Sequence, residues 1–221
     1  MKLVTSENSE KIVTYLTEVL QDKLRSGKHV LWLVPGGSAI AVAAAVSKNL
    51  QNENLGNLTV SLTDERFGDL DHADENWPQL LAAGVSLPGA QMHRVLTGQP
   101  RDTTTAQFAS FLYDALASND FSIGLFGMGS DGHTAGIKPN TNAVVDDTLA
   151  ENFTGTDFER ITMTTYAISQ LSEAVLYAFG QDKFVQIDAL LHKEIPLAEQ
   201  PVQVLKLVPK STLFSDYKES K

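Results

Sequence analysis

Apolar positions near the start of the chain follow first a helical and then a strand pattern. Between residues 10 and 26 they recur at helical spacing, and Gly27 follows where a helix C-terminal cap would lie. Residues 30–34 are continuously apolar, which is typical of a buried strand. A glycine turn and an alanine-rich segment to about Leu50 come next. The chain is therefore predicted to open as helix, strand, turn and helix.

The same alternation continues along the rest of the chain. Further strands are predicted at residues 58–62, 92–96, 121–126, 161–164, 174–179 and 202–208. Further helices are predicted around residues 108–115 and 182–191. Two polar, weakly patterned stretches, 68–76 and 139–159, are expected to form long surface loops or lids. The alternation predicts an α/β fold, a sandwich in which a doubly wound, mostly parallel sheet has helices on both faces.

Length and composition narrow the class of protein. The 221 residues, 43% of them hydrophobic, suffice for one domain spanning 1–221. No apolar stretch of about 18 residues could span a membrane, and no N-terminal apolar run marks a signal peptide. The absence of cysteine excludes disulfides and thiolate nucleophiles and fits a reducing compartment, so a cytoplasmic location is expected.

The charge of the chain restricts its partners. A net charge of -10 argues against general binding to nucleic acids or anionic membranes, since both need a basic surface. Any phosphate group that binds here must therefore meet a few local cations. We expect a small-molecule ligand and a monomer or small homo-oligomer.

The segment 126–135 carries the strongest chemical signal, because it ends an apolar run with glycines and then presents an acid and an imidazole. Asp131 and His133 could act together if the turn brings them to one side, the acid orienting the ring and the ring moving a proton. The alternative is a turn with a solvated Asp and His. The remaining histidines lack a comparable setting and are expected to be structural: His29, His72, His93 and His192.

Three known glycine motifs nearly match this segment. Gly127, Gly129 and Gly132 give the spacing of a dinucleotide fingerprint, but Gly136 and Pro139 interrupt the helix that such a site requires. A serine-hydrolase elbow fails because a methionine stands where its first glycine belongs, and a phosphate-binding P-loop fails because no lysine follows. We therefore expect neither a cofactor nor a metal.

A second glycine motif follows the first predicted strand. Gly36, Gly37 and Ser38 precede a helix, where free backbone N–H groups and a hydroxyl can bind an anion. Ser38 is also a favoured N-cap residue, so the motif alone leaves both interpretations open.

Charged residues stand at other predicted strand ends. Asp64 and Arg66 could hold a substrate hydroxyl and a phosphate, or form a surface ion pair of little energetic value. Arg160 precedes a strand, and such a residue is more often a solvated charge. Lys183 is expected in the first turn of a helix, where a cation opposes the helix dipole, and this hints at another task.

Taken together, these motifs resemble those of the 6-phosphogluconolactonases, which belong to a wider group that includes glucosamine-6-phosphate deaminases. The matching segments, in order, are residues 35–38, 63–66, 127–135, 160–164 and 180–183. The resemblance implies a doubly wound α/β sandwich. It also implies hydrolysis of 6-phosphogluconolactone to 6-phosphogluconate.

The resemblance further implies roles for individual residues. His133 would be the general base that activates water, and Asp131 would orient it. N–H groups near Gly127 and Gly129 would stabilise the oxyanion, and Asp64 would position a sugar hydroxyl. The phosphate would lie on Gly36, Gly37 and Ser38, neutralised by Arg66, Arg160 or Lys183.

Two alternatives remain within this resemblance. Deaminases of the group carry a glutamate where Lys138 stands and typically an aromatic residue where Arg66 stands, so both positions favour the lactonase. The lactonase pattern itself differs at residues 39–40, 74–76 and 136–138, and Lys138 adds a charge beside the site. A non-catalytic sugar-phosphate sensor would normally carry a DNA-binding segment, and the sequence shows no helix-turn-helix or basic patch.

Overall fold

The structure is a computed structural model that describes residues 1–145 and 147–219. Within these residues the strands are β1 (Lys2–Thr5), β2 (Val30–Val34), β3 (Leu58–Leu62), β4 (Asp64–Arg66), β5 (Gln91–Met92), β6 (Phe121–Gly127), β7 (Ala150–Thr154), β8 (Glu159–Met163), β9 (Glu173–Tyr177) and β10 (Lys210–Ser215). The α-helices are α1 (Glu10–Arg25), α2 (Ile40–Asn49), α3 (Asn76–Ala82), α4 (Arg101–Ser118), α5 (Thr165–Ser169) and α6 (Phe184–His192). Short 3₁₀ helices lie at Gly37–Ala39, Gln181–Lys183 and Pro201–Leu207.

Two sheets organise the described part of the chain. Seven strands form a parallel sheet in the order β1-β10-β9-β6-β2-β3-β5. The strands β4, β8 and β7 form a separate antiparallel sheet in that order. Within residues 1–145 and 147–219, no helix combines the length and apolar character needed to cross a membrane.

The strand order places helices on both faces of the parallel sheet. Steps from β1 to β2, from β2 to β3 and from β3 to β5 run in one direction across the sheet, whereas steps from β5 to β6, β9 and β10 run in the other. Because parallel crossovers are right-handed, the two directions put their helices on opposite faces. Contacts of α1 with α2, and of α2 with α3, agree with this assignment. The predicted doubly wound α/β fold is confirmed.

The central strands are apolar on both faces because helices cover both sides of the sheet. All residues of β2 are buried, and this strand pairs with β3 on one side and β6 on the other. The carboxyl ends of these three strands therefore lie side by side. Ligands of doubly wound sheets bind at this edge, where the chain reverses its direction across the sheet.

Two predicted strands are wrong in whole or in part. Residues 202–208 lie mostly in the 3₁₀ helix Pro201–Leu207, and the last strand is instead β10. The Nε2 atom of Gln203 donates to the carbonyls of Ala189 and Lys193, which holds this segment against the end of α6. The strand predicted at 92–96 is reduced to β5, because Arg94 turns away to bind Glu75 and Asp71.

The two predicted loops contain more structure than their sequences indicated. The segment 139–159 includes β7, which pairs with β8, so only part of it is a surface loop. The segment 68–76 ends with Glu75 and Asn76, both fully buried. The carboxylate of Glu75 accepts hydrogen bonds from Arg94 Nε and Nη2, each at 2.7 Å, and from the N–H of Asp71 at 2.6 Å.

We expect Glu75→Gln to destabilise the protein, because it removes the charge that pairs with Arg94 at a fully buried position. The free energy of unfolding should fall by about 2–3 kcal/mol, less than for a fully buried pair because Arg94 stays partly exposed. Urea unfolding of the variant and the wild type measures this difference. Asp22→Asn removes the exposed carboxylate beside Lys23 and serves as the control that leaves the unfolding midpoint unchanged. An unchanged midpoint for Glu75→Gln would refute the assignment.

Candidate active site

A cavity of about 340 Å³ opens at the carboxyl ends of β2, β3 and β6. Its walls come from the segments that follow these strands and from the antiparallel sheet. The lining residues are Pro35, Gly36, Gly37, Ser38, Asp64, Arg66, Gly127, Met128, Gly129, His133, Ala135, Asp157, Phe158 and Arg160. Most of the residues singled out in the sequence therefore meet in one place.

The turn after β2 presents backbone and hydroxyl groups to the cavity. Gly37 has a φ of +67°, a conformation that glycine adopts without strain. A Cβ atom on Gly36 would lie 2.1 Å from Oδ1 of Asn76, so this position must also be small. Ala39, and not Ser38, occupies the N-cap position of α2, so the N-cap interpretation of Ser38 is wrong. Its exposed side chain lines the cavity.

The glycine loop after β6 fixes Asp131 and His133 against each other. The Nδ1 atom of His133 lies 2.6 Å from Oδ1 of Asp131, and the same oxygen accepts the His133 backbone N–H at 3.1 Å. A Cβ on Gly129 would lie 2.2 Å from the imidazole ring, so only glycine leaves room for it. Although partial burial works in the opposite direction, His133 holds the pKa of Asp131 below its usual range. Asp131 is thus an ionised partner of the imidazole.

The N–H of Gly129 is already engaged within this loop. It donates to the carbonyl of His133 at 3.0 Å, and the N–H of Gly132 donates back to the carbonyl of Gly129 at the same distance. The hydroxyl of Thr134 donates to the carbonyl of Gly127. These bonds make the loop rigid, and they leave the Gly129 N–H committed to the protein.

The antiparallel sheet carries two arginines to the cavity. Arg66 on β4 lies directly opposite Arg160 on β8. Both guanidinium groups lie over the ring of Phe158, with their central carbons 5.1 and 5.4 Å from its centre. Like charges placed opposite each other destabilise a sheet unless other groups compensate them. The aromatic face supplies part of that compensation.

Arg160 is buried, with 8% of its side chain exposed. Its Nη2 atom donates to Asp157 at 2.9 Å, and its Nη1 atom lies 3.7 Å from the carboxylate of Asp64. The expectation that Arg160 is a solvated charge is therefore wrong. The surface ion-pair interpretation of Asp64 and Arg66 is also wrong, since Asp64 is buried and pairs with Arg160.

The glutamate between Asp64 and Arg66 anchors the cavity wall. The carboxylate of Glu65 is buried and accepts the backbone N–H groups of Arg66, Asn76 and Trp77. Burial raises its pKa to about 8, although these three donors favour the ionised form. The side chain of Asn76 donates to the carbonyl of Asp64 and packs against Gly36. Glu65 and Asn76 thus join the β4 wall to the glycine turn after β2.

Other predicted residues lie outside the lining of the cavity. Lys183 precedes α6 and donates from Nζ to the carbonyl of Phe179 at 3.0 Å. Lys138 lies behind Asp157, to which its Nζ donates at 3.0 Å. The histidines predicted to be structural do not line the cavity either; these are His29, His72, His93 and His192. Within residues 1–145 and 147–219, no group of three or more His, Asp or Glu side chains could hold a metal ion.

The sequence missed two residues of this cavity, Asp157 and Phe158. Both fall in the stretch predicted as a loop, and the hairpin of β7 and β8 carries them to the arginines. The one local signal was the spacing of Asp157 three residues before Arg160, which here forms an ion pair.

Comparisons with known proteins agree with this architecture. A family described as glucosamine-6-phosphate isomerases/6-phosphogluconolactonase matches residues 5–213. A probable 6-phosphogluconolactonase from Drosophila melanogaster is 25% identical over 214 residues, covering 90% of this chain and 87% of the relative.

Solved structures share the fold at lower sequence identity. The 6-phosphogluconolactonase of Thermotoga maritima superposes with a TM-score of 0.80 at 19% identity, covering 97% of this chain and 98% of that chain. A monomeric glucosamine-6-phosphate deaminase superposes with the same TM-score at 17% identity, covering 97% of each chain. The family match over nearly the whole chain decides the assignment. The chain belongs to the family of glucosamine-6-phosphate isomerases and 6-phosphogluconolactonases.

Proposed function

We propose that this protein is a 6-phosphogluconolactonase that opens 6-phosphogluconolactone to 6-phosphogluconate in the pentose phosphate pathway. One observation carries the proposal: an imidazole held by a carboxylate shares a cavity with two arginines. His133 supplies a base for water, and Arg66 and Arg160 supply the charge that a phosphate group needs. A lactone with a phosphate at its far end uses both halves of the cavity.

In the proposed mechanism His133 moves one proton twice. Nδ1 faces Asp131, which leaves Nε2 to take a proton from water as the water oxygen attacks the lactone carbonyl carbon. The bond from this carbon to the ring oxygen then breaks, and the imidazolium returns the proton to that oxygen. Asp131 stabilises the imidazolium between the two steps. Water is added across the ester bond, and the enzyme regains its starting state.

The remaining cavity residues bind the substrate in this proposal. Gly36, Gly37 and Ser38 offer backbone N–H groups and a hydroxyl to the phosphate, as sequence reasoning expected. Asp64 retains the role of positioning a sugar hydroxyl. The oxyanion falls to the loop that begins at Gly127, without the Gly129 N–H, because that donor is engaged with His133.

Lys183 remains a predicted phosphate ligand that stands at the start of α6, outside the lining of the cavity. We place the reaction in the cytoplasm, because a chain without cysteine suits a reducing compartment.

The lactonase is favoured over a deaminase because Lys138 stands where deaminases of this group carry a glutamate. Release of ammonia from glucosamine 6-phosphate by the pure protein would support the deaminase. Tight binding of 6-phosphogluconate without lactone hydrolysis above the spontaneous rate would support a sugar-phosphate sensor.

We expect His133→Ala to lower kcat for 6-phosphogluconolactone by about 10²- to 10⁴-fold, the usual contribution of a general base. A continuous assay of lactone hydrolysis, corrected for the uncatalysed rate, measures this loss. His192→Ala is the matched control, because this partly exposed histidine lies at the end of α6, outside the cavity lining. Wild-type turnover by His133→Ala would rule out the mechanism.

Asp131→Asn should lower kcat/KM by at least about tenfold, because the imidazolium loses the charge that stabilises it. The acid limb of the pH profile of kcat/KM should move to lower pH for the same reason. Since an asparagine oxygen can still accept the His133 N–H, the loop should keep its shape, as circular dichroism can verify. A profile that coincides with that of the wild type would contradict the role given to Asp131.

A further inference from the structure

The turn between β7 and β8 brings a carboxylate into the cavity. The N–H of Gly155 donates to the carbonyl of Phe158 at 2.8 Å, which closes the turn. Oδ2 of Asp157 accepts hydrogen bonds from Lys138 Nζ at 3.0 Å and from Arg160 Nη2 at 2.9 Å. One carboxylate oxygen therefore lies between two cations that come from different segments of the chain.

The three groups differ in how firmly the protein holds them. Arg160 is buried and also faces Asp64, and 24% of the Lys138 side chain is exposed. Asp157 is the most exposed of the three, at 38%. Its other oxygen is bound only locally, by the N–H of Phe158. The carboxylate is thus the member of the cluster that the structure constrains least.

The cations around Asp157 are unlike an ordinary surface ion pair. Nε of Arg160 is buried and has no hydrogen-bond partner within residues 1–145 and 147–219. Although burial works in the opposite direction, Lys138 and Arg160 hold the pKa of Asp157 well below its usual range. A planar guanidinium beside an ammonium is an arrangement that binds the oxygens of a phosphate group.

We propose that Lys138 and Arg160 form an anion subsite, and that the phosphate of the substrate displaces Asp157 from it. The identity of the ligand rests on the proposed lactonase function. Lys138 becomes a substrate-binding residue of this chain, and Asp157 holds its place until the substrate arrives. The motifs that resemble the lactonases did not assign either role.

This exchange would select for phosphorylated substrates. A phosphate monoester carries close to two negative charges near neutral pH, whereas Asp157 carries one, so the phosphate competes well for the same cations. An uncharged sugar has nothing to offer Lys138 and Arg160 in place of the carboxylate. Asp157 would therefore remain in the cavity and oppose binding of an unphosphorylated lactone.

A simpler arrangement would give Lys138 no contact with the ligand. In that case Lys138 only balances the charge of Asp157, which stays bound to Arg160 throughout. The two arrangements differ once Asp157 is neutral. A lysine that binds phosphate still matters there, whereas a lysine that only balances Asp157 no longer matters.

A double-mutant cycle separates these possibilities. Asp157→Asn, Lys138→Met and the double variant are titrated calorimetrically with 6-phosphogluconate and with inorganic phosphate. Asparagine still accepts the Phe158 N–H, and methionine keeps much of the apolar stem of Lys138, so both variants should fold. Lys206→Met removes a lysine that pairs with Glu194 outside the cavity lining, and it provides the control.

The proposal predicts that Asp157→Asn binds both anions about five- to tenfold more tightly, since the competing charge is gone. Lys138→Met should weaken binding about tenfold, and it should do so in the Asp157→Asn background as well. The proposal is overturned if Lys138→Met has no effect in that background, if Asp157→Asn binds no more tightly, or if the folded wild type binds neither anion.

The lactone assay keeps this outcome separate from that of the proposed function. If the expected cycle is found with inorganic phosphate but the wild type hydrolyses no lactone, the function is wrong and the subsite stands. If the wild type hydrolyses the lactone but the cycle shows no effect of Lys138, the subsite is wrong and the function stands.

Discussion

The buried guanidinium of Arg160 is the constraint on which the site depends. A charge in this position is tolerated only when carboxylates and other polar partners surround it. Asp64 from β4 and Asp157 from the β7–β8 turn supply that charge, and Phe158 packs against the guanidinium. Because these partners come from separate segments, satisfying Arg160 positions the antiparallel sheet beside the carboxyl edge of the parallel sheet. The cavity lies between them.

Close backbone approach is the second requirement of the site. Gly129 leaves room for the His133 ring, and Gly36 leaves room for the side chain of Asn76. Asn76 in turn holds the backbone of Asp64, and Glu65 holds the backbone of Asn76. The base for water and the groups proposed to bind phosphate are thus linked through short packing contacts and hydrogen bonds. Such links hold reacting groups in position at little entropic cost during the reaction.

Sequence patterns predicted the parts of the fold whose burial is visible locally. Strands β2, β3 and β6 are continuously apolar because both faces of the sheet are covered. The last strand was missed because β10 begins with polar residues, and the apolar 202–208 segment packs instead as a 3₁₀ helix. Asp157 and Phe158 could not be assigned from local sequence, because their partners are brought to them by strand pairing. The motif residues around His133 were found because their spacing is itself the signal.

The central claim is that one cavity joins a base for water to a phosphate site built around buried Arg160. The most direct test compares kcat/KM of the wild-type protein for 6-phosphogluconolactone and for unphosphorylated gluconolactone, each corrected for spontaneous hydrolysis. The account predicts a preference of at least about a hundredfold for the phosphorylated lactone, the value of two charge-assisted hydrogen bonds. Equal values for the two lactones would contradict it.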